Sequence, residues 1–397
     1  MAEGGFELPK EELEMNEARA EVVVIGGGAR GCSCAYHLAK AGVRVTLVEK
    51  DNIASACSGA TFALINVSHK DPGHYAALSL ESARLFEALE QELGEDLEYR
   101  PVGNMSSLVE DENELPGLEQ FIRQQNQVPG LKLELLSSED ARKLEPALTP
   151  KILAACFCAQ DAHINPYKLT VGYARAARRL GATILTRTKV TGIELERNRV
   201  RAVVTDRGRI AAESVVVAAG IDMAEIGRMM GLSIPVVPSR GQVITTERTR
   251  PLLHRPVGSL RQTEDGTIII GVTYQFVGPD RRVTYDDMTR NAQRALRLFP
   301  PLRNLNVIRV WAGLRPFTVD GLPILGPVAR LKGVFLATGH SGITLAQVTG
   351  KVISDLVTTG SSPIPIEEYT LERFTTVRYK FAMDAYQRAQ AQMGAGA

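Results

Sequence analysis

The chain has 397 residues, 44% apolar and 23% charged, with 46 Lys and Arg against 45 Asp and Glu. These are globular proportions, and a formal charge of +1 removes any bulk electrostatic reason to expect nucleic acid or an anionic membrane as partner. No apolar run is long enough to span a bilayer, and the first residues, MAEGGFELPKEELEMNEARA, are acidic where a secretory signal would be basic and then apolar; a cytoplasmic protein is expected.

Residues 1–20 read as a mobile acidic tail with weak helical character from Glu11 onward. Residues 21–25, EVVVI, are too β-branched and too continuously apolar to be anything but a buried parallel strand. Gly26, Gly28 and Gly31 follow at once with G-x-G-x-x-G spacing, which provides a tight turn, close backbone approach to a pyrophosphate, and close packing of helix on strand. The helix that begins there offers its positive end to the same anion. A second strand, 43–48, runs into Glu49, whose carboxylate suits both ribose hydroxyls of an unphosphorylated adenosine and disfavours a 2′-phosphate. Glycines alone are a weak signal, but with a strand before, a helix after and an acid closing the second strand they specify a dinucleotide site; the alternative is an ordinary β-α-β unit with a glycine-rich turn.

The segment DNIASACSGATFALIN that follows is small and glycine-containing, able to wrap a cofactor. Apolar residues at helical spacing predict a helix over 75–93, stopped by Gly94. A strand is expected over 102–109, then a charged, turn-rich insertion over 110–150. In Asp161-Ala162-His163-Ile164-Asn165-Pro166 the Asn-Pro step precedes a helix over 167–180. Strands then alternate over 183–185, 190–194, 200–205 and 214–217, the last running into Ala218, Ala219 and Gly220. Residues 234–305 read as hairpins, with the turn Thr263-Glu264-Asp265-Gly266 before a strand over 267–274. Buried strands return at 307–310 and 334–337, and Gly339-His340-Ser341-Gly342 opens a helix over 344–358, a second place for a polar cofactor group. The end, 371–392, has Leu371, Phe374, Phe381 and Tyr386 at roughly helical spacing and is expected to dock on the body of the protein.

Five cysteines, an odd number, argue against a disulfide framework. Cys32, Cys34, Cys156 and Cys158 read as small buried residues, their C-x-C spacing being neither redox nor zinc-binding. Cys57 lies in the wrapping loop and is either a packed, inert thiol, the preferred reading, or a reactive or flavin-linked one. His69, His74 and His254 have no metal spacing and read as structural; no metal is expected.

GGGARG with Glu49, DAHINP, VVVAAG, GLRPFTVDGLPILGP and ATGHSGITLAQVTGK resemble, in that order, the FAD-dependent amino-acid and amine oxidoreductases of the D-amino-acid oxidase, glycine oxidase and sarcosine oxidase group, from residue 21 to about 360. SLRQTEDGTIIIGVT and the Gly-Pro-Asp turn after it are most similar to catalytic β subunits of bacterial hydroxyproline, proline and opine dehydrogenases and of hydrogen cyanide synthase. The resemblance implies an α/β protein with a glutathione-reductase-like Rossmann FAD domain in segments 21–101, 151–233 and 307–363. A mainly antiparallel substrate domain, 102–150 and 234–306, would roof the flavin, and 364–397 would be an extension carrying a helix. FAD would be held by Ala29, Arg30 and Lys50 beside the glycines and Glu49; by Ser58, Gly59, Ala60 and Thr61; by Val190, Ala218, Ala219 and Gly220; by Gly241 and Gln242; by Gly313 and Leu314; and by Gly339, His340, Ser341, Gly342, Ile343 and Thr344.

In the reaction so implied, the carbon bearing an amine loses a hydride to the flavin, and water hydrolyses the resulting imine. A neutral amine needs no strong base, but a substrate carboxylate needs a fixed cation, for which the fork of Arg is suited. The resemblance assigns that role to Arg315 in GLRP; the alternative is a structural Arg paired with an acid such as Asp320. Arg261, Gln262 and Tyr274 are polar candidates for the substrate roof, and His340 is retained in the cofactor turn. The chain departs from family patterns in three places. Ser341 stands near where glycine oxidases have a further Arg; no Cys lies beyond Cys158 to link flavin covalently; and Ile269 falls where monomeric sarcosine oxidases place an oxygen-activating Lys. A noncovalent FAD and a dehydrogenase with companion redox subunits, or a homo-oligomer, are therefore expected. The competing readings are an FAD enzyme acting on tRNA-linked amines and a non-catalytic FAD-binding subunit.

Overall fold

The structure, a computed structural model, describes residues 18–375; the expected tail up to residue 17 and the expected C-terminal helix beyond residue 375 lie outside the described residues. Strand β1 (Ala18–Ile25) starts earlier than expected, because Ala18, Arg19 and Ala20 pair with Ile210, Ala211 and Ala212. The first helix, α1 (Ala29–Lys40), and strand β2 (Val45–Val48) complete the β-α-β unit. β1 lies between β2 and the strand Gly208–Val217, parallel to both, with Val24 opposite Leu47 and Val216. The period of two along β1 divides its side chains between two cores. Val22 and Val24 face α1 and the helices Pro166–Arg179 and Ala346–Thr359, whereas Val23 and Ile25 face the opposite layer with Met223 and Val203. Each such fully buried side chain contributes about 1.5–3 kcal/mol.

Thr183–Leu185 extends the parallel sheet beyond β2, and Val334–Thr338 extends it beyond Gly208–Val217. Antiparallel strands finish that side: Ile324–Pro327 pairs with Val334–Thr338, and the meander Val190–Glu196 and Arg199–Thr205 folds back on Gly208–Val217. Asn165 caps the helix Pro166–Arg179 by accepting from the amides of Tyr167 and Lys168, as the Asn-Pro step suggests.

A second, antiparallel sheet has the order Leu260–Gln262, Thr267–Ile270, Val236–Arg248, Val307–Thr318. A smaller one places Ala154–Cys158 between Asn104–Val109 and Leu133–Ser137. Two strands expected with the cofactor domain, Ala154–Cys158 and Val307–Thr318, thus pair in these sheets instead. A short buried apolar strand reads alike whichever sheet receives it. The segment expected as a turn-rich insertion contains the helices Leu115–Gln125 and Ser138–Leu144. Within the region read as hairpins lies the helix Tyr285–Leu298, whose buried stripe is Asp287, Asn291, Ala295 and Leu298. Two polar residues on that stripe erase the apolar period that would announce a helix. The helix expected over 75–93 is two, Gly73–Phe86 and Leu89–Leu93, with Gly94 left-handed at the end of the second. The expected strand 267–274 leaves the sheet after Ile270. At the C-terminal end of the described residues, Phe374 is buried in the layer below β1, so this part of the extension docks on the body.

Candidate cofactor and substrate site

At the end of β1 the backbone of Gly26 has φ +114°, and a Cβ there would stand 2.5 Å from the Ala218 carbonyl oxygen. A Cβ on Gly31 would stand 1.9 Å from the carbonyl oxygen of Gly26, so α1 can approach the turn only through a glycine. Gly28 precedes α1 with no side-chain cap, while Ser58 Oγ accepts the Ala29 amide at 2.9 Å. The Glu49 carboxylate is oriented by two amides: Gly27 donates to Oε2 at 2.6 Å and Asp51 to Oε1 at 2.8 Å. Burial raises the Glu49 pKa above the ordinary carboxylate value, against the pull of those two amides.

This turn opens into one cavity of about 1780 Å³, which continues past the roof sheet to Arg315 and the turn 339–344. Its walls include Gly26, Gly28, Ala29, Arg30, Glu49, Lys50, Ser58, Ala60, Thr61 and Val190. They also include Ala218, Ala219, Gly220, Gly241, Gly313, Leu314, Gly339, Ser341, Gly342, Ile343 and Thr344, together with Tyr274, Arg315 and His340. Five expected site residues are not on the walls. Gly31 and Gly59 pack against the carbonyls of Gly26 and Ala54. Gln242 is buried, donating to Asp287 Oδ2 at 2.6 Å and accepting the Thr284 amide at 2.8 Å. Arg261, 3% exposed, donates to the Phe62 carbonyl and lies 3.4 Å from His163 Nδ1. Neighbouring Gln262, also a roof candidate, bonds the backbone of Leu252 and Leu253. Adjacent side chains on that strand point to opposite faces, so Arg261 turns toward Phe62 and His163 while Gln262 turns to the other side, and neither lies on the cavity wall.

Arg315 lies on the strand Val307–Thr318, opposite Ser239, and its guanidinium passes over Gly241, where a Cβ would come within 2.8 Å of Nη2. Its Cζ stands 3.9 Å from the Tyr274 ring centroid, a cation–π contact, and Nη2 donates to the carbonyls of Thr273 and Arg240. Nε is buried and has no hydrogen-bond partner among the described residues. Asp320, the acid that would have made Arg315 structural, is held instead by Arg373 at 2.7 and 3.1 Å. The His340 ring stacks on Phe317 at 4.4 Å, and the Arg30 guanidinium donates to the His340 carbonyl at 2.8 Å. Burial, reinforced by Lys70, Arg315 and Arg30, holds the His340 pKa well below its ordinary value, so the ring is neutral.

Several wall residues escaped the sequence reading. Lys70 reaches the cavity from the loop after residue 66, and its only sequence signal is its place before Asp71-Pro72. That loop is fixed by Asp161 of the DAHINP segment, which accepts from the amides of Val67 and Ser68 and from the side chains of Asn66, Ser68 and Asn104. Cys57 lies on the wall with its thiol pKa raised by burial, the state of an unreactive cysteine. The other four cysteines are buried.

The cavity fits FAD on its own terms: a glycine turn without Cβ atoms meets a helix start whose cap residue, Gly28, has no side chain, and Arg30 Nε is buried without a partner beside them. Bound there, FAD would lie against the turn, Glu49 and the 339–344 segment and would supply a two-electron acceptor. An extended dinucleotide with space beside it for a small acidic molecule is the arrangement of a flavoprotein oxidoreductase. The chain belongs to the FAD dependent oxidoreductase family, DAO, whose profile matches residues 21–356. It is 30% identical to the hydrogen cyanide synthase subunit HcnC of Pseudomonas aeruginosa, over 89% of this chain and 96% of that one. It is also 30% identical to an opine oxidase subunit of Agrobacterium tumefaciens, over 89% and 97% respectively. The solved glycine oxidase of Geobacillus kaustophilus superposes with a TM-score of 0.85 at 29% identity, covering 90% of this chain and 99% of that one. The protein is thus an FAD-dependent oxidoreductase of amino-acid or amine substrates. No helix among the described residues is long and apolar enough to cross a membrane.

Proposed function

We propose that the chain oxidises the C–N bond of a carboxylated amine, a primary or secondary amino acid, to an imine that water hydrolyses, and does so as a dehydrogenase with companion redox subunits. The observation that carries this reading is Arg315, a guanidinium on the cavity wall with a buried Nε left unpartnered and its plane fixed against Tyr274. A substrate carboxylate would complete it, holding the amine carbon in one orientation while the apolar faces of Phe317 and neutral His340 exclude water. Neutral His340 adds no charge to the site and is a packing surface rather than an acid. An anaerobic panel of D- and L-amino acids, N-methyl amino acids, prolines and opines, followed by loss of the oxidised flavin spectrum, tests the proposal. A holoenzyme bleached by dithionite and by none of these amines would refute it.

The flavin is expected to be noncovalent, since the half-buried cysteine on the cavity wall has its thiol pKa raised and so stays protonated. Acid precipitation should leave the flavin in the supernatant; colour remaining with the polypeptide would point to a link at Cys57. Glu49→Ala should weaken FAD retention by on the order of 1.5–3 kcal/mol, the worth of hydrogen bonds to a charged acceptor. Equilibrium dialysis giving the same FAD affinity for both proteins would remove Glu49 from the ribose.

Reduced enzyme is expected to pass electrons rapidly to an artificial dye and slowly to oxygen. Reduction of oxygen develops negative charge that a fixed cation stabilises. Ile269, where monomeric sarcosine oxidases place a lysine, is 8% exposed and packs with Phe62 and Val243. The ammonium beside the 339–344 turn, that of Lys70, is bonded to Ser341. The likeness to relatives whose names make them subunits supports the same reading. Substrate-reduced enzyme mixed with air-saturated buffer decides: fast reoxidation with stoichiometric peroxide would make the protein an oxidase.

A further inference from the structure

Lys70 belongs to none of the motifs above, yet it lines the cavity with 6% of its surface exposed. Its ammonium donates to Ser341 Oγ at 2.9 Å and stands 5.4 Å from the Tyr75 ring centroid. The Tyr75 hydroxyl donates to the same Ser341 oxygen at 3.0 Å. The lysine is held from behind as well, because Gln125 donates to its carbonyl at 3.1 Å and Asp161 ties down the residues before it. Asp161 spreads its charge over five donors and makes no ion pair with Lys70, and among the described residues no other carboxylate does. A buried ammonium without a counter-charge is costly, and in a cavity that admits small molecules the missing anion can arrive as ligand.

Arg315 presents the same deficit from another element. It stands over Tyr274, whose ring is 6.4 Å from that of His340, while Lys70 is reached from His340 through Ser341, whose Oγ is 3.2 Å from the His340 Nδ1. The two cations therefore approach from separate elements, the strand Val307–Thr318 and the loop after residue 66, and are joined by a chain of contacts through Tyr274, His340 and Ser341. We propose that the substrate is a secondary amine with a carboxylate on each arm, an N-carboxyalkyl amino acid, one carboxylate meeting Arg315 and the other Lys70. This rests on the amine-oxidising reading above.

Calorimetric binding of two non-reacting probes to the FAD-loaded protein, glutarate with two carboxylates and butyrate with one, tests the pairing apart from turnover. The wild type should bind glutarate more tightly than butyrate by about 30-fold or more, as expected for a second desolvated charge pair. Lys70→Met should cut that ratio to about threefold or less, and Lys70→Arg, which keeps the charge, should preserve most of it. Equal binding of the two probes by the wild type overturns the inference without need of any variant. A ratio unmoved in Lys70→Met overturns it too, as does an equal loss for both probes, which would put both cations on one carboxylate. If instead the glutarate preference and its dependence on Lys70 stand while neither iminodiacetate nor sarcosine bleaches the flavin under anaerobic conditions, the amine-oxidising reading fails and the charge pairing survives.

Discussion

Arg315→Ala should raise the apparent constant for a carboxylated amine by about 30-fold to several thousand-fold, because removing one partner of a desolvated charge pair costs roughly 2–5 kcal/mol. The loss should appear in half-saturation of flavin bleaching under anaerobic conditions, with FAD content unchanged. Arg315→Lys should rescue poorly, since an ammonium can neither stack on Tyr274 as a plane nor donate in a fork. Gly241→Ala is a milder form of the same experiment: its Cβ would meet the guanidinium at 2.8 Å and displace it without removing the charge. Unaltered half-saturation in the Arg315→Ala enzyme would reduce Arg315 to a packing residue for Tyr274 and the Thr273 carbonyl.

The second large effect is acid lability, and two of the groups behind it lie away from the cavity. His37 bridges α1 and the helix Ala346–Thr359 through a 2.7 Å contact between Nε2 and Gln347 Oε1, and burial pushes its pKa down from 6.5 to about 4. His163 is 8% exposed, with Nδ1 3.4 Å from the Arg261 guanidinium; burial and then Arg261 push its pKa to about 3. Arg261 can only donate, so a proton on that nitrogen would set charge against charge. For a base whose folded pKa is depressed, the unfolded chain takes a proton that the native protein refuses. The associated stability is whole above pH 6.5 and falls away as pH drops toward 4. Each group accounts for on the order of 3 kcal/mol across that window. Urea unfolding at about pH 7.5 and about pH 5 should show the drop, and His163→Gln should flatten it by about one group's share. Stability independent of pH over that range would mean that both imidazoles take protons in the folded state.

How far the sequence could be read depended on how far apart the cooperating residues lie. The helix Pro166–Arg179 was legible because its cap, Asn165, and its first residue, Pro166, act within one turn. The helix Tyr285–Leu298 was not, because it buries Asp287 and Asn291 toward Gln242, a partner more than forty residues away that makes a polar stripe tolerable. Arg261 illustrates the opposite error. An arginine on a roof strand is a sound candidate for binding an anion until the alternation of that strand is fixed, and here the sheet turns it toward Phe62 and His163.

The sequence by itself determined the dinucleotide turn, the acid that closes the second strand and the chemistry class. Gly26, Gly28, Gly31 and Glu49 fall within one β-α-β unit, where backbone sterics leave few alternatives. Only the tertiary structure decided that Ala154–Cys158 and Val307–Thr318 join the antiparallel sheets, that Asp320 goes to Arg373 and leaves Arg315 to the cavity, and that Lys70 is a wall residue. A lysine in a polar loop reads the same in sequence whether it is solvated or buried. What separates the two is a serine 271 residues further on, and only folding brings it to the ammonium.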